Sequence, residues 1–320
     1  MAQKFKKLKK VVILTHENPD GDAIGSALAL FNSLITIGCK CIVGVPDEPP
    51  QNYSFLKGFD KVIITKQDII KELIGTGHTL ITLDSISPKR VGIESFPTPE
   101  ETLAIDHHPS TEDYGQVMLV EPEISSTAEL LYHVLALAGL PMPDETLEGL
   151  YTGIITDTGA FKYPNTKEGT HLVVAELIKL GLITSKIAAK IYENMTLANR
   201  KLLGKAMERL ALAMSGKLAI TAITWKDLTD FEAEVRDTDF IVDEVKKLGG
   251  PEVYILAKEY RPDQFRISMR GRGKIDLSEL SSKFGGGGHH DAAGFTTTGD
   301  WLFVRSNLLQ IFEPLLTGND

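Results

Sequence analysis

Acidic and imidazole side chains recur through the first half of the chain in a pattern suited to holding metal ions. Taken singly, each has an ordinary explanation, because Asp22 could cap a helix and the paired histidines could lie on the surface. Together, so many carboxylates would repel one another and lose solvation unless cations neutralised them. The sequence therefore predicts a site for divalent cations. The residues concerned are His16, Asp20, Asp22, Asp84, Asp106, His107, His108 and Asp157.

The donor types of this set indicate which ion and which chemistry to expect. Carboxylates and imidazoles without a thiolate favour Mn²⁺, with Co²⁺, Mg²⁺ and Zn²⁺ as weaker alternatives. Two such ions about 3.5–4 Å apart can share a bridging carboxylate and a bridging hydroxide, which attacks phosphorus in line. We therefore expect two divalent metal ions and chemistry on phosphate.

A glycine run followed by two histidines, at residues 285–290, is a second pattern with chemical content. A glycine backbone can approach an anion without interference from a Cβ atom, and its N–H groups can donate to that anion. A flexible linker is the alternative for such a run. The small and apolar residues that follow, up to Phe295, favour an immediate return to packed structure, so the sequence predicts an anion-binding segment.

Apolar and cationic residues alternate just upstream, in residues 264–274. Phe265, Ile267 and Met269 alternate there with Arg266 and Arg270. On a strand, this places the apolar side chains on one face and the cations on the other. An exposed strand with solvated arginines is the alternative to an anion-binding surface.

The elements that must position these residues also follow from the sequence. Short apolar runs predict strands at residues 11–15, 41–45, 61–64, 80–83 and 103–105, and helical patterns lie between or after them. This order predicts an α/β fold with a mostly parallel, doubly wound sheet covered by helices on both faces. His16, Asp84 and Asp106 each follow or end a strand. Because the carboxyl ends of parallel strands share one edge of a sheet, we expect these residues to converge.

A polar helical pattern at residues 184–209 predicts a connector, after which strand and hairpin patterns resume near Lys217. We expect a smaller C-terminal α/β domain with a mixed sheet. The predicted organisation is a catalytic domain at residues 1–184, a helical connector at 185–212 and a substrate-binding domain at 213–320.

Composition excludes several classes of protein. No apolar stretch approaches the roughly 20 residues that span a bilayer, and the lysines before the first strand do not form a secretory signal. The net charge of −9 argues against a protein that coats long nucleic acids. Cys39 and Cys41 are spaced for neither a disulfide nor a zinc site, which favours a reducing, cytoplasmic location.

The motifs, in their order along the chain, resemble those of the DHH phosphoesterases, which include RecJ exonucleases, family II inorganic pyrophosphatases and nanoRNases. The resemblance rests on His16-x-x-x-Asp20-x-Asp22, Asp84 after a strand, Asp106-His107-His108, and Asp157. The glycine–histidine segment resembles the DHH-associated C-terminal domain of the nuclease-like branch. His16 favours the nanoRNase-like and pyrophosphatase-like branches over RecJ itself.

The resemblance implies a role for each residue. One metal ion would be bound by His16, Asp20 and Asp84, and the other by Asp22, Asp84, His107 and Asp157. Asp84 would bridge the ions, Asp106 would orient a neighbouring ligand, and His108 would face the substrate phosphate. The implied substrate-binding residues are Arg270, Gly287, Gly288 and His289, with His290 of uncertain role and Arg266, Arg272 and Lys274 as weaker candidates.

The implied function is hydrolysis of short single-stranded oligonucleotides or linear dinucleotides to mononucleotides. Removal of phosphate from 3′-phosphoadenosine 5′-phosphate (pAp) is an additional activity that the resemblance allows. A manganese-dependent inorganic pyrophosphatase and a non-catalytic nucleotide sensor are the alternatives. No membrane partner is expected, and a homodimer is compatible with the sequence.

Overall fold

The computed structural model describes residues 2–75, 77–94, 102–109 and 117–317. The chain forms two compact units, Met1–Asn194 and Met195–Asp320. The boundary between them lies inside the stretch predicted as a helical connector. None of the described helices is long and apolar enough to cross a membrane.

The sheet of the first unit is parallel throughout. Its strands are β1 (Lys10–Leu14), β2 (Lys40–Val45), β3 (Val62–Ile64), β4 (Thr79–Leu83), β5 (Thr102–Asp106) and β6 (Val117–Val120). Among the described residues these six strands lie in the order β3-β2-β1-β4-β5-β6. β1, β4 and β5 are largely buried, as expected for apolar strands covered on both faces. The doubly wound α/β prediction is confirmed, whereas the edge strand β6 was not predicted.

Helices cover both faces of this sheet. They are α1 (Ala2–Phe5), α2 (Gly21–Thr36), α3 (Gln67–Gly75), α4 (Thr127–Ala138), α5 (Asp144–Asp157), α6 (Glu168–Lys179) and α7 (Thr184–Tyr192). On one face, α2, α4 and α5 share the main apolar core. On the other face, Ile70 of α3 packs with Val12, Leu14 and Leu80 in a smaller core.

The close approach of α2 and α5 brings two predicted ligands together. A Cβ atom on Gly25 of α2 would lie 2.5 Å from the Gly149 carbonyl oxygen of α5, so glycine is required at this crossing. Asp22 lies in the first turn of α2 and Asp157 is the last residue of α5. The packing of the two helices therefore places both carboxylates beyond the carboxyl ends of the strands.

The order of the strands reverses between β1 and β4, because the chain returns from β3 to pair β4 with the free side of β1. In open parallel sheets such a reversal opens a crevice at the carboxyl ends of the strands. The loops that follow β1 and β4 carry His16 and Asp84 to this crevice.

The second unit is built on a mixed sheet, as predicted. Its strands are β7 (Ala211–Ala213), β8 (Leu218–Ile223), β9 (Val253–Arg261), β10 (Gln264–Gly271), β11 (Gly287–His289) and β12 (Ala292–Thr298). They lie in the order β11-β12-β10-β9-β8-β7, with β8 and β9 parallel and the other pairs antiparallel.

Helices cover the two faces of the second sheet unequally. They are α8 (Leu197–Glu208), α9 (Trp225–Asp230), α10 (Ile241–Lys246), α11 (Leu277–Ser282) and α12 (Trp301–Thr317). On one face, α11 and α12 pack across the strands from β8 to β12, including Phe265, Ile267 and Met269. The core on the opposite face joins α8, α9 and α10 to β8 and β9. The side chains of β10 on that second face are those of Arg266, Ser268 and Arg270.

Candidate functional site

Asp20 caps the helix that follows β1, which leaves Asp22 available for another role. The Asp20 Oδ1 accepts hydrogen bonds from the N–H groups of Asp22 and Ala23, both at 3.0 Å, in N-cap geometry. The possibility that Asp22 is the cap is thus excluded. Asp20 remains partly exposed, and its Oδ1 lies 4.0 Å from the Nε2 of His16.

The Asp22 carboxylate is buried against the first turn of α4. Its Oδ2 accepts the N–H of Thr127 at 2.6 Å, and its Oδ1 accepts the N–H of Ala128 at 2.9 Å. The amino end of a helix favours negative charge, because its first N–H groups have no partner within the helix. A Cβ atom on Gly153 would collide with the Asp22 Oδ1, so glycine at that position of α5 makes room for this carboxylate.

Asp84 lies at the centre of the predicted ligands. It follows β4 with a φ of 62°, in a left-handed conformation that few residues other than glycine adopt. Its Oδ1 accepts the Thr127 hydroxyl at 2.9 Å, and its Oδ2 lies 3.2 Å from the Nε2 of His16. The Nε2 of His107 and the Nδ1 of His108 lie 3.7 Å and 3.5 Å from its Oδ1.

The Nε2 of His107 provides a test of whether a cation fits. This atom is buried and has no hydrogen-bond partner in the described part of the chain. It lies 4.0 Å from Asp22 Oδ2, 3.7 Å from Asp84 Oδ1 and 3.6 Å from Asp157 Oδ2. These separations are too long for hydrogen bonds. A buried imidazole nitrogen among three carboxylates is the arrangement expected of ligands around an ion, so the donor set fits a divalent metal.

The predicted ligands form three groups, and within each group the ligand atoms lie within 4.8 Å of one another. They are His16 with Asp20 and Asp84, then Asp22 with His107 and Asp157, and finally Asp84 with His107 and His108. We call these seven residues the acid–imidazole cluster. The assignment of particular residues to particular ions remains a prediction.

The electrostatics of the cluster point to missing positive charge. Burial, followed by the nearby charges of Asp84, Asp157 and Asp20, raises the pKa of Asp22 well above its usual value. Burial also raises the pKa of Asp157 to about 6. Burial acts on Asp84 in the same direction, but the hydrogen bond from His16 and the charges of the histidines lower its pKa overall. Without a cation, ionisation of all these carboxylates in the folded protein is energetically unfavourable.

Asp106 positions one of the two histidines that follow it. The buried Asp106 Oδ1 accepts the backbone N–H of His108 at 2.9 Å and lies 2.8 Å from the His108 Nδ1. The hydrogen bond to Asp106 raises the pKa of His108, although burial opposes this shift. The His108 side chain is 44% exposed, whereas that of His107 is 13% exposed. His108 is therefore the histidine that a substrate could reach.

Sequence reasoning did not identify three residues that hold these ligands. They are Thr127 and Ala128, which bind Asp22, and Asn165, whose Nδ2 lies 3.4 Å from Asp157 Oδ2. The helical pattern predicted at residues 126–138 does locate the amino end of α4, which begins after Ser126. Nothing in the sequence places that helix end beside Asp22.

In the second unit, strand pairing puts several predicted substrate-binding residues on one side of the sheet. Arg270 pairs with Ala292 of β12, which also pairs with His289 of β11. By the same register, Arg266 and Gly287 lie on this side, which we call the basic face. A pocket of about 430 Å³ is lined by Arg266, Arg270 and Gly287 among others. Gly288, His289 and His290 are outside its lining.

The glycine run leads into the edge strand β11 and supplies its first two residues, so the linker interpretation is wrong. A Cβ atom on Gly286 would collide with the carbonyl of Gly294, and one on Gly288 with the carbonyl of Ala292. These two glycines are therefore needed for close pairing with β12. A Cβ atom on Gly287 would meet nothing within 4 Å, so its backbone is open to an approaching group.

The cationic side chains of this region differ in whether they already have ion-pair or hydrogen-bond partners. Arg270 forms a two-point ion pair with Asp243, with Nε at 2.8 Å from Oδ1 and Nη2 at 3.3 Å from Oδ2. Arg272 lies over the Tyr254 ring and donates to the carbonyls of Lys246 and Leu248, so its contacts are structural.

Two further cations were weaker candidates for substrate binding. Lys274 pairs with Glu252 at 2.7 Å, so its charge is already partnered. The Arg266 side chain is exposed, and no residue in the described ranges engages it. Arg266 is therefore the cation of the basic face that is most accessible to an anion.

Comparison with known proteins covers both units. The model of the DHH family, N-terminal domain, matches residues 10–154, and that of the DHHA1 domain matches residues 215–313. The bifunctional oligoribonuclease and PAP phosphatase NrnA of Thermus thermophilus is 31% identical over 289 residues, covering 90% of this chain and 84% of that protein. The protein of the same name from Bacillus subtilis is 27% identical, covering 89% and 88%.

A solved structure shares the fold along nearly the whole chain. An exopolyphosphatase-related protein from Bacteroides fragilis aligns with a TM-score of 0.82 at 26% identity, covering 98% of this chain and 95% of that one.

Proposed function

The chain belongs to the DHH family of phosphoesterases, and on this premise we propose that it hydrolyses short oligonucleotides, including linear dinucleotides, to mononucleotides. Membership confirms the resemblance predicted from the motifs and makes the protein a phosphoester hydrolase. We propose pAp as a second substrate. The observation that carries the proposal is the presence, in one chain, of the acid–imidazole cluster and a basic face. Relatives named for both activities match about nine-tenths of this chain.

The cofactor we propose is a pair of divalent metal ions, with Mn²⁺ preferred. Support comes from the oxygen and imidazole donors of the cluster and from the unpartnered Nε2 of His107. When bound, such ions supply a nucleophile from water and neutralise charge on the phosphate. The residues proposed to hold one ion are His16, Asp20 and Asp84, and those proposed to hold the other are Asp22, Asp84, His107 and Asp157.

The chain's own contribution is to fix these groups before the substrate arrives. Thr127 holds Asp84, and the first N–H groups of α4 hold Asp22, so neither carboxylate needs to reorganise during the reaction. Asp106 acts as a positioning residue for His108. A raised pKa favours the cationic form of His108, which suits contact with a substrate phosphate.

The basic face supplies the proposed grip on the substrate. Arg270 and His289 would bind a terminal phosphate, and Gly287 with Gly288 would give close backbone contact. His290, whose Nδ1 lies 3.2 Å from Asp291 Oδ1, already has a carboxylate beside it. Binding of a phosphate remote from the reacting bond contributes to catalysis only if the substrate is long enough to supply it. This favours oligonucleotides over pyrophosphate.

The cytoplasm is the proposed location. Cys39 and Cys41 are both free thiols, and burial raises the pKa of each. Thiols of this kind are typical of a reducing compartment.

One assay separates the proposed function from its alternatives. Purified protein with Mn²⁺ is offered a dinucleotide, a short single-stranded RNA, pAp and pyrophosphate, with a chelator-treated sample as control. We expect mononucleotides from the first two substrates and phosphate from pAp. Phosphate released from pyrophosphate alone would identify a pyrophosphatase, and binding of nucleotides without turnover would identify a sensor.

A further inference from the structure

The chain leaves α5 through an unusual turn directly after the predicted ligand Asp157. Gly159, Ala160 and Phe161 have φ values of 55°, 59° and 64°, so three consecutive residues are left-handed. This conformation is unfavourable for Ala160 and Phe161, because their Cβ atoms crowd the backbone. Backbone strain of this kind persists where the surrounding structure enforces it and is concentrated at functional sites.

The buried Thr158 enforces the turn. Its hydroxyl donates to the Ile154 carbonyl at 2.6 Å and accepts the N–H of Phe161 at 3.2 Å. Its carbonyl accepts the N–H groups of Lys162 and Tyr163 at 2.9 Å and 3.0 Å. The strained backbone is therefore held by a continuous set of hydrogen bonds, and the chain is directed back towards the end of α5.

This turn brings Asn165 back beside Asp157. Its Nδ2 donates to the Ser125 carbonyl at 2.9 Å and to the Asp157 carbonyl at 3.1 Å, and lies 3.4 Å from the Asp157 Oδ2. Ser125 immediately precedes the cap of α4, the helix whose first N–H groups hold Asp22. One carboxamide thus links the segment that carries Asp157 to the start of the helix whose N–H groups hold Asp22.

The Oδ1 atom of Asn165 indicates that this side chain does more than fill space. The Asn165 Oδ1 is buried and has no partner in the described part of the chain. An unpartnered buried oxygen destabilises a fold, so an apolar side chain would serve packing better.

We propose that Asn165 is a positioning residue that fixes the end of α5 and thereby holds the Asp157 carboxylate beside His107, and that the left-handed turn serves to place Asn165. The inference rests on the metal centre of the proposed function, but not on the identity of the substrate. Residues that orient metal ligands typically change metal affinity 10–100-fold when replaced.

The test is a titration of metal-stripped protein with Mn²⁺, followed calorimetrically in the absence of substrate. For Asn165→Ala we expect the Mn²⁺ dissociation constant to rise about 10–100-fold. The metal-free protein should unfold close to the wild-type temperature. In assays, the Mn²⁺ concentration for half-maximal turnover should rise, while turnover at saturating Mn²⁺ recovers. Ala160→Gly is the matched control, because it relieves the left-handed strain and should leave Mn²⁺ affinity unchanged.

Unchanged Mn²⁺ affinity in Asn165→Ala, with a lowered unfolding temperature of the metal-free protein, would show a structural role and overturn the inference. If this variant does not fold, Asn165→Ser, which keeps a short polar side chain, is titrated under the same criteria. A wild-type protein that binds Mn²⁺ but cleaves no oligonucleotide would refute the proposed substrate and leave this test intact.

Discussion

The acid–imidazole cluster of the first unit and the basic face of the second carry charged side chains of opposite sign, and the partners of these side chains differ. In the first unit, Asp22 and Asp84 are each 1% exposed and lie among histidines with no fixed cation among the described residues of the cluster. In the second unit, Arg270 is half-buried and already has a carboxylate partner in Asp243. The first site therefore requires positive charge from outside the protein, whereas in the second Asp243 of α10 already pairs with Arg270.

The two sites should therefore respond to different ligands. An ion that enters the acid–imidazole cluster relieves buried repulsion, so it should affect both activity and stability. An anion that approaches the basic face exchanges one exposed ion pair for another, and exposed ion pairs contribute little to stability. Substitutions in the first site should therefore change metal binding, and those in the second should change substrate affinity.

The largest effect is expected for Asp84→Ala. Removal of the carboxylate shared by the predicted ligand groups should lower turnover on the order of 10³-fold or more, as loss of a central charge-stabilising group does. The bound Mn²⁺, measured by elemental analysis, should fall in parallel. Asp60→Ala, at an exposed site, is the control. Retention of full metal content by Asp84→Ala would remove Asp84 from the ligand set.

A smaller and different effect is expected for Arg270→Ala. Hydrogen bonds to charged groups contribute about 1.5–3 kcal/mol, so kcat/KM for a dinucleotide should fall roughly 10–100-fold, mainly through KM. Mn²⁺ affinity should not change. Arg272→Ala is the contrasting variant, because its contacts to Tyr254 and α10 predict a lower unfolding temperature. Loss of metal from Arg270→Ala would contradict the assignment of metal binding to the first site and substrate binding to the second.

The smallest effect concerns pH and applies to the metal-free protein. Burial raises the pKa of Asp157 from 3.8 to about 6, and that of Asp22 in the same direction. Over that range Asp157 and Asp22 bind more protons in the folded protein than in the unfolded chain, so their contribution to stability should fall as pH rises from about 4 to about 6. Mn²⁺ should oppose this trend, because metal binding displaces protons and strengthens as pH rises.

Thermal unfolding across this pH range, with chelator or with Mn²⁺, measures both slopes. Asp157→Asn should flatten the slope of the metal-free protein, which separates the site from the other titrating groups. A metal-free Asp157→Asn protein whose stability changes with pH in the same way as that of the metal-free wild type would contradict the charge deficit inferred for the cluster.

The order of the motifs and the strands that carry them could be predicted from the amino-acid sequence alone. Apolar runs ending at His16, Asp84 and Asp106 were enough to predict a parallel sheet with ligands at one edge, because strand direction dictates where each strand ends. Alternation around Arg266 and Arg270 likewise predicted an apolar face and a cationic face, since side chains on a strand alternate.

The role of each polar group became clear from the folded structure, because its partners are remote in sequence. The sequence does not distinguish Asp20 from Asp22, yet Asp20 caps α2 and Asp22 binds the amino end of α4. Arg270 and Arg272 are similarly close, yet one faces Asp243 and the other supports Tyr254. No pattern in the sequence indicated a role for Asn165, since its contact with Asp157 depends on a left-handed turn that local propensity disfavours.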